Sequence, residues 1–555
     1  MAKGYRPVRR DQPFLLPPDM REWLPGDHPV WLVIRVVSDH LDTSAAHALR
    51  RTGGAGTAGY DPDMLVTLLV WAYASGVTSS RRIEAACHTD VAFRVICAGD
   101  VPDHATIARF RAGFPGLAQE LFTQVLMLCS RLGMGAVGMV ALDGTKIAAS
   151  ASKGANRTEE RLRKLAAQRV AEHEAADAAE DELSGAGRRG DEVPPEAVAP
   201  GTRDERIRAA LADLQAEREA AQAERDAQAR QYLQAAQAGQ APGGQIPAAA
   251  QIRAAQIRLE RAEAAQQEKI AVRQERDAQA RAAGRPGFRG KRPYPVQAAP
   301  AVRKARAALA KAQERAAGRE HKEAAKKGPG PVRNITDPDS RLMPVRGGSF
   351  IQGYNAQNVT SADKLIIATE LTADPADMAW FGPMLQAALR AAALITAHQP
   401  APAPGQHTPP GTDAAATSGE HHSPIKLFLA DAGYCSEHNL TLEGPDRLIA
   451  TGKHRDLEKQ ARDGASGEPG AGSGALAAMT ARLATEEGIT AYRQRGHIAE
   501  TPHGHIKHNM RFRQLTMRGL PKAAAEWTFT AAVHNLTKAI TTGHLTTQTL
   551  ASLAP

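Results

Sequence analysis

Apolar and polar residues change rhythm several times along this chain of 555 residues. In the first 135 positions the apolar residues recur at helical spacing, as in WLVIRVVSDHL (31–41). PDMLVTLLVWAYASG, beginning at Pro62, reads as a helix with proline in its first turn and Gly76 at its end. SSRRIEAACHTD, VAFRVICAG and PDHATIARFRAGF follow as short helices separated by glycine, proline or Ser/Thr caps. From 136 the pattern turns to strand: GMVALDGTKIAASAS reads as a hairpin turning at Asp143-Gly144. Beyond 331, GYNAQNVTSADKLIIATELT reads as two strands joined by SADK, and DMAWFGPMLQAALRAAALI as a helix. IKLFLADAGY reads as a buried strand ending in an acid and a glycine, DRLIATG as another strand, and the tail as helix-rich.

Residues 156–328 differ. They are dense in Ala, Glu, Gln and Arg, with long helical patterns of interleaved charge broken at GAGRRGDEVPPEAVAPG and GQAPGGQIPAAA. Helical arms, a coiled-coil hairpin and a largely disordered insert are all compatible with this composition. Pro/Gly-rich stretches at 398–423 and 463–475 read as linkers. Only 4% of the chain is aromatic, and its net charge is +9. That excess favours polyanionic partners such as nucleic acid or anionic lipid. Cys87, Cys97, Cys129 and Cys435 form no CxxC pair or zinc-like spacing and read as reduced thiols. No apolar run follows the basic MAKGYRPVRR, and no stretch stands out as bilayer-spanning, so a soluble, intracellular chain is expected.

Without the insert a mixed α/β unit remains. Asp143 and Asp431 sit where strands end, the place where sites form in open α/β sheets. A third acid stands out by its setting. Seven Lys or Arg residues run from Arg493 to Lys522, and within 491–520 the one carboxylate is Glu500. Three carboxylates from distant elements can hold two Mg²⁺ ions for phosphoryl transfer, with nearby cations receiving phosphate oxygens. Taken singly each acid also has a structural reading: a turn, a strand cap, a neutraliser of arginines. The arginines of the N-terminal helices, Arg81, Arg82, Arg94, Arg109 and Arg111, suit either a helix-turn-helix DNA-binding module or an ordinary helical bundle with a charged surface.

In their order, LDGTKIAASAS, TDPDSRLM, GYNAQ, LADAGY and the basic stretch resemble bacterial insertion-sequence transposases of the DDE type, in the branch with a Tyr–Arg–Glu–Lys signature. The similarity covers most of 5–150 and 331–540. It implies an α/β ribonuclease H-like catalytic core, an N-terminal all-α DNA-binding domain at 1–135 and a long helical or coiled-coil insertion at 156–330. The core is then split between 136–155 and 331–540, with 541–555 as a tail. The resemblance also implies metal-dependent DNA cleavage and strand transfer by Asp143, Asp431 and Glu500, using two Mg²⁺ or Mn²⁺ ions. Tyr492, Arg495 and Lys507 match the rest of the signature. Four residues separate Arg495 from Glu500 where the pattern has three, which makes Arg493 a substitute candidate. Arg511 and Arg513, with Arg81, Arg82, Arg109 and Arg111, complete the expected DNA contacts. Partners implied are the element's terminal inverted repeats, target DNA and further copies of the chain, in a nucleoid-associated cytoplasmic setting without membrane. A DNA-binding descendant without catalysis and a helical scaffold built on the insert are the competing classes.

Thr501-Pro502 leaves open whether Glu500 precedes a helix or lies on one kinked by Pro502. TDPDSR reads as a proline-containing turn. Asn355 and Gln357 are expected exposed on a strand, and the histidines of HGHIKH on a basic surface rather than at zinc. Trp527 and VHNL (533–536) are expected to pack the closing helix.

Overall fold

The computed structural model describes residues 19–48, 59–168, 171, 203–238, 247–287, 291–325, 331–345, 347–400, 423–452, 456, 458–459 and 474–553. The basic N-terminal stretch, the break at 185–201, most of the two linkers and residues 239–246 lie outside these. The chain divides into one unit of 1–156 with 334–555, and a second of 157–333.

Aspartates start several helices of the first unit. Asp61 accepts from the Asp63 N–H ahead of α2 (Pro62–Ala74), with Pro62 in the first turn. Asp90 and Asp103 cap α4 (Val91–Ile96) and α5 (His104–Ala112) in the same way. With α1 (Pro29–His40), α3 (Ser80–Thr89) and α6 (Phe114–Arg131) they bury Val33, Leu68, Ile83, Phe93 and Phe122.

The sheet contains β1 (Met139–Ala148), β2 (Arg341–Pro344), β3 (Phe350–Ser361), β4 (Ile366–Thr372), β5 (Leu427–Ala430) and β6 (Asp446–Ile449). Strands β4, β3 and β1 are antiparallel neighbours, β2 also pairs with β3, and β5 and β6 continue the sheet in parallel with β1. Side chains alternate across it. Val140 and Leu142 join the large core with the N-terminal helices, α10 (Phe381–His398) and α13 (Leu520–Thr541). Ala141, Leu429 and Leu448 instead meet α11 (Ala475–Leu483) and α12 (Glu486–Gly504) through Leu483, Ile489, Tyr492 and Ile498.

One local reading is corrected, and one left open is answered. The expected hairpin at Asp143-Gly144 is one uninterrupted strand, paired along residues 140–148 with β3 and along 139–142 with β5. The antiparallel ladder with β3, which runs unbroken through Asp143 and Gly144, overrides the turn signal of an Asp-Gly step. Gly144 is required by crowding: a Cβ there would lie 2.8 Å from the Asp377 Oδ1 and Gln357 Nε2 atoms. Glu500 lies on a helix, with Pro502 inside its last turn and a π-turn at His505–Asn509 following. One further segment, Met378–His398, spans 21 residues with mean hydropathy 1.2, enough by length and composition to cross a membrane. Its Phe381, Leu385, Ala388 and Ile395 are buried in the large core, as in a core helix.

In the second unit α7 (Arg203–Gln237), α8 (Ala248–Ala282) and α9 (Pro300–Ala325) are long helices, with α8 packed against both others. They bury few and mostly small residues, among them Ala210, Ala254, Ala255 and Val302. Ion pairs such as Arg306–Glu263 at 3.2 Å join them.

Candidate active site

Parallel pairing of β1 with β5 sets Leu142 beside Ala430; β5 ends there while β1 runs on, so Asp143, in the middle of its strand, neighbours Asp431 at the end of the other. Helix α12 crosses this point and adds Tyr492, Arg495, Glu500 and His503. The Arg495 guanidinium spans two acids: Nη1 lies 3.5 Å from Asp143 Oδ1 and Nη2 3.9 Å from Glu500 Oε1. Five positions turn an α-helix by about 140° beyond one full revolution. The one-residue excess between Arg495 and Glu500 therefore swings the acid to the flank of the helix, where its side chain is 57% exposed.

The electrostatics follow from this crowding. Burial pushes the Asp143 carboxyl up, but the facing His503 ring and the Arg495 guanidinium outweigh it and hold it below its ordinary value. Asp431 goes the other way, raised first by burial and then by the neighbouring Asp143 charge. Burial works against the Arg495 charge, yet Tyr492, Asp143, Asp431 and Glu500 together raise its pKa. A divalent cation would relieve the repulsion between Asp143 and Asp431, and three carboxylates supply the hard oxygen donors it prefers. The Arg495 contacts, at 3.5 and 3.9 Å, are long enough to be displaced. In chemistry the donors suit such an ion, although these three carboxylates are not among the described groups whose ligand atoms all lie within 4.8 Å of one another.

Lys507 reaches the same place from the π-turn. Its Nζ donates to Thr145 Oγ1 at 2.5 Å and to the Lys146 carbonyl at 3.0 Å, while burial lowers its pKa. Tyr492 is buried, with the Arg495 guanidinium 5.9 Å from its ring centre. Arg493, the substitute candidate, faces away and pairs with Glu458 at 3.0 Å.

Nearby, Arg81, Arg511 and Arg513 line a groove of about 950 Å³ together with His104, Arg518 and Lys522, and no carboxylate is among its lining residues. Arg82 is exposed on α3, and Arg109, also exposed, is bonded to its own helix through the Ala105 carbonyl and Thr106. Arg111 departs from the expectation. It lines the same groove, yet it is only 4% exposed and pairs with the fully buried Glu526 at 2.8 Å, so its charge is met mainly inside the fold.

Other expectations are also revised. Asn355 and Gln357 are fully buried, and both donate to Asp377 Oδ1, at 2.7 and 2.8 Å. Alternation in a strand predicts exposure only when one face is bare; here both are covered. TDPDSR is the turn expected of it, with Asp337 accepting from Tyr354 and Gly519 and Asp339 from Leu520. Of the HGHIKH histidines, His503 is 8% exposed and meets Asp143 at 3.6 Å, not solvent. Its position three residues beyond Glu500 on a helix was the available signal. Asp377, whose charge reaches Asp431, had none.

Two family models match the chain. One, described as a transposase domain (DUF772), covers residues 18–113; the other, a transposase DDE domain, covers residues 468–540, including Glu500 and Lys507. No curated protein and no solved structure matches the chain. With a match to a transposase domain near the N-terminus and to a transposase DDE domain around the acid-bearing helix, the chain has the function of a DNA transposase, an enzyme acting on DNA.

Proposed function

We propose that Asp143, Asp431 and Glu500 are the three metal-binding acids of this transposase, that its core is ribonuclease H-like, and that it belongs to the Tyr–Arg–Glu–Lys branch. The observation that carries the assignment is the adjacency of Asp143 and Asp431 at neighbouring strands, with Arg495 bridging from Asp143 to Glu500. Three antiparallel strands continued by two parallel ones support the fold reading. Tyr492, Arg495 and Lys507, all gathered at the acids, support the branch.

Two divalent ions, Mg²⁺ or Mn²⁺, held by the three carboxylates would activate the attacking oxygen and stabilise the leaving one. Arg495, released from the carboxylates, and Lys507 are placed to receive non-bridging oxygens of the scissile phosphate. Tyr492 supports the guanidinium from below. The groove bearing Arg81, Arg511, Arg513 and Lys522 guides the adjoining DNA strand, with its phosphates as the ligand. The substrates are the terminal inverted repeats of the element and its target, bound by more than one copy of the chain.

Asp143→Ala, Asp431→Ala and Glu500→Ala test this on DNA carrying the element's ends. Each is expected to abolish Mg²⁺- and Mn²⁺-dependent cleavage while leaving end binding within about threefold of the parent, since phosphate contacts rather than these acids supply affinity. Cleavage persisting in any one of the three removes that acid from the assignment.

A further inference from the structure

We propose that His503 is a positioning residue for Asp143: it holds one carboxylate oxygen so that the other is presented to a divalent cation. The inference rests on the three-acid reading above and adds a residue to it.

The hydrogen bonds around the ring settle which nitrogen carries the proton. Trp527 Nε1 can only donate, and it donates to Asn358 Oδ1 at 3.2 Å; Thr369 Oγ1 donates to the same oxygen at 2.6 Å. The Asn358 amide nitrogen is thereby turned to His503 Nε2, 3.0 Å away, and donates to it. Nε2 is an acceptor, so the proton sits on Nδ1, which points at Asp143 Oδ2 from 3.6 Å. With both nitrogens engaged, the ring orients a ligand and is not itself one.

The chain of contacts is anchored by the sheet. Asn358 stands opposite Asp143 in the β1–β3 register and opposite Thr369 in the β3–β4 register, so the three share one face. Trp527 is fully buried, Asn358 is 1% exposed and His503 8%, which leaves the row little room to reorient. Arg495 approaches the other oxygen, Oδ1, from 3.5 Å. His503 thus faces Oδ2 from 3.6 Å with a ring that cannot turn away, a distance that closes to a hydrogen bond by a small shift of the carboxylate, while Oδ1 faces the longer, mobile arginine side chain. Outer-shell groups of this kind typically change metal affinity by about 10–100-fold.

The test measures Mn²⁺ binding to the full-length protein by electron paramagnetic resonance of the free ion. His503→Phe keeps the ring shape and loses the N–H; it is expected to weaken Mn²⁺ binding by about 10–100-fold. Circular dichroism and end-DNA binding in chelator should stay near the parent. His503→Gln, whose amide can restore an N–H toward Asp143, should recover most of the loss. Should the phenylalanine variant misfold, Asn358→Ser, which no longer pins the tautomer, must weaken Mn²⁺ binding in the same direction. Binding within twofold of the parent in a folded His503→Phe overturns the proposal. Asp143→Asn is the control: unchanged Mn²⁺ affinity there defeats the three-acid reading itself, and this inference with it.

Discussion

Arg111→Met isolates the buried ion pair that ties the first helices to the last. The Glu526 carboxylate is fully buried and accepts from Tyr73 Oη at 2.7 Å, Arg111 Nη2 at 2.8 Å, Thr516 Oγ1 at 2.5 Å, and the Thr516 and Met517 N–H groups at 2.8 and 3.0 Å. Methionine fills similar space but leaves that carboxylate with no counter-charge, which costs about 3–5 kcal/mol in buried pairs. Four other donors remain on Glu526, placing the carboxylate's share near the lower end. The Thr78 carbonyl, which accepts from Arg111 Nη1 at 2.9 Å, loses its partner and adds about 1 kcal/mol or more. A loss of about 4 kcal/mol is expected. Arg111→Met/Glu526→Leu should be less destabilised than the sum of its single changes by at least about 2 kcal/mol, because removing both charges ends the mismatch. All five tryptophans, Trp23, Trp31, Trp71, Trp380 and Trp527, lie outside 157–333, so urea unfolding followed by their fluorescence reports on the first unit. A shift below about 1 kcal/mol for Arg111→Met, together with a fall in DNA affinity, would refute the buried role and return this arginine to the DNA surface.

Gly353→Ala would set a Cβ 2.1 Å from the Ile147 carbonyl oxygen, a backbone collision across β1 and β3; a loss of about 3 kcal/mol or more in the same urea assay is expected. His534 is fully buried beside His505, and burial first, then that neighbour, holds its pKa down to about 3 against an ordinary 6.5. The unfolded chain therefore binds the extra proton, and stability present above pH 6.5 should fall as pH is lowered toward 4. His534→Gln should flatten that slope in urea midpoints measured across the window, and an unchanged slope rejects the assignment. Asn334 Nδ2 lies 3.1 Å from Asn156 Oδ1, and the Ile335 N–H bonds the Ala155 carbonyl at 3.1 Å, so the ends of the first unit meet. Replacing 157–333 with a short glycine-rich linker should leave a cooperatively unfolding protein that keeps its tryptophan emission; a molten chain would contradict the division into two units.

Local rhythm was a good guide wherever one interaction dominated. The buried run of IKLFLA became β5, and proline and aspartate placed the start of α2, because capping acts within a few residues. The end-of-strand reading held for Asp431 and failed for Asp143, which lies inside β1; the parallel pairing of β1 with β5 is what makes them neighbours. Readings failed where the deciding partner was remote. Asp143-Gly144 carries a turn signal that the continuous ladder with the remote β3 overrules. Arg111 looks like surface charge until Glu526, 415 positions later, is packed against it. Asn355, Gln357 and His503 likewise owe their burial to elements that no local pattern announces.

The candidate centre draws on β1, on β5 and on α12, with Trp527 of α13 behind it, so its parts are made hundreds of residues apart. A polypeptide still on the ribosome, or one cut short before α12, has Asp143 in place but neither Glu500 nor the bridging Arg495. Such a fragment also lacks the α13 side chains and the Glu526 carboxylate against which its early helices pack, and the arginines of the groove that follow α12. The candidate centre is therefore complete only once translation has passed the final buried tryptophan, Trp527.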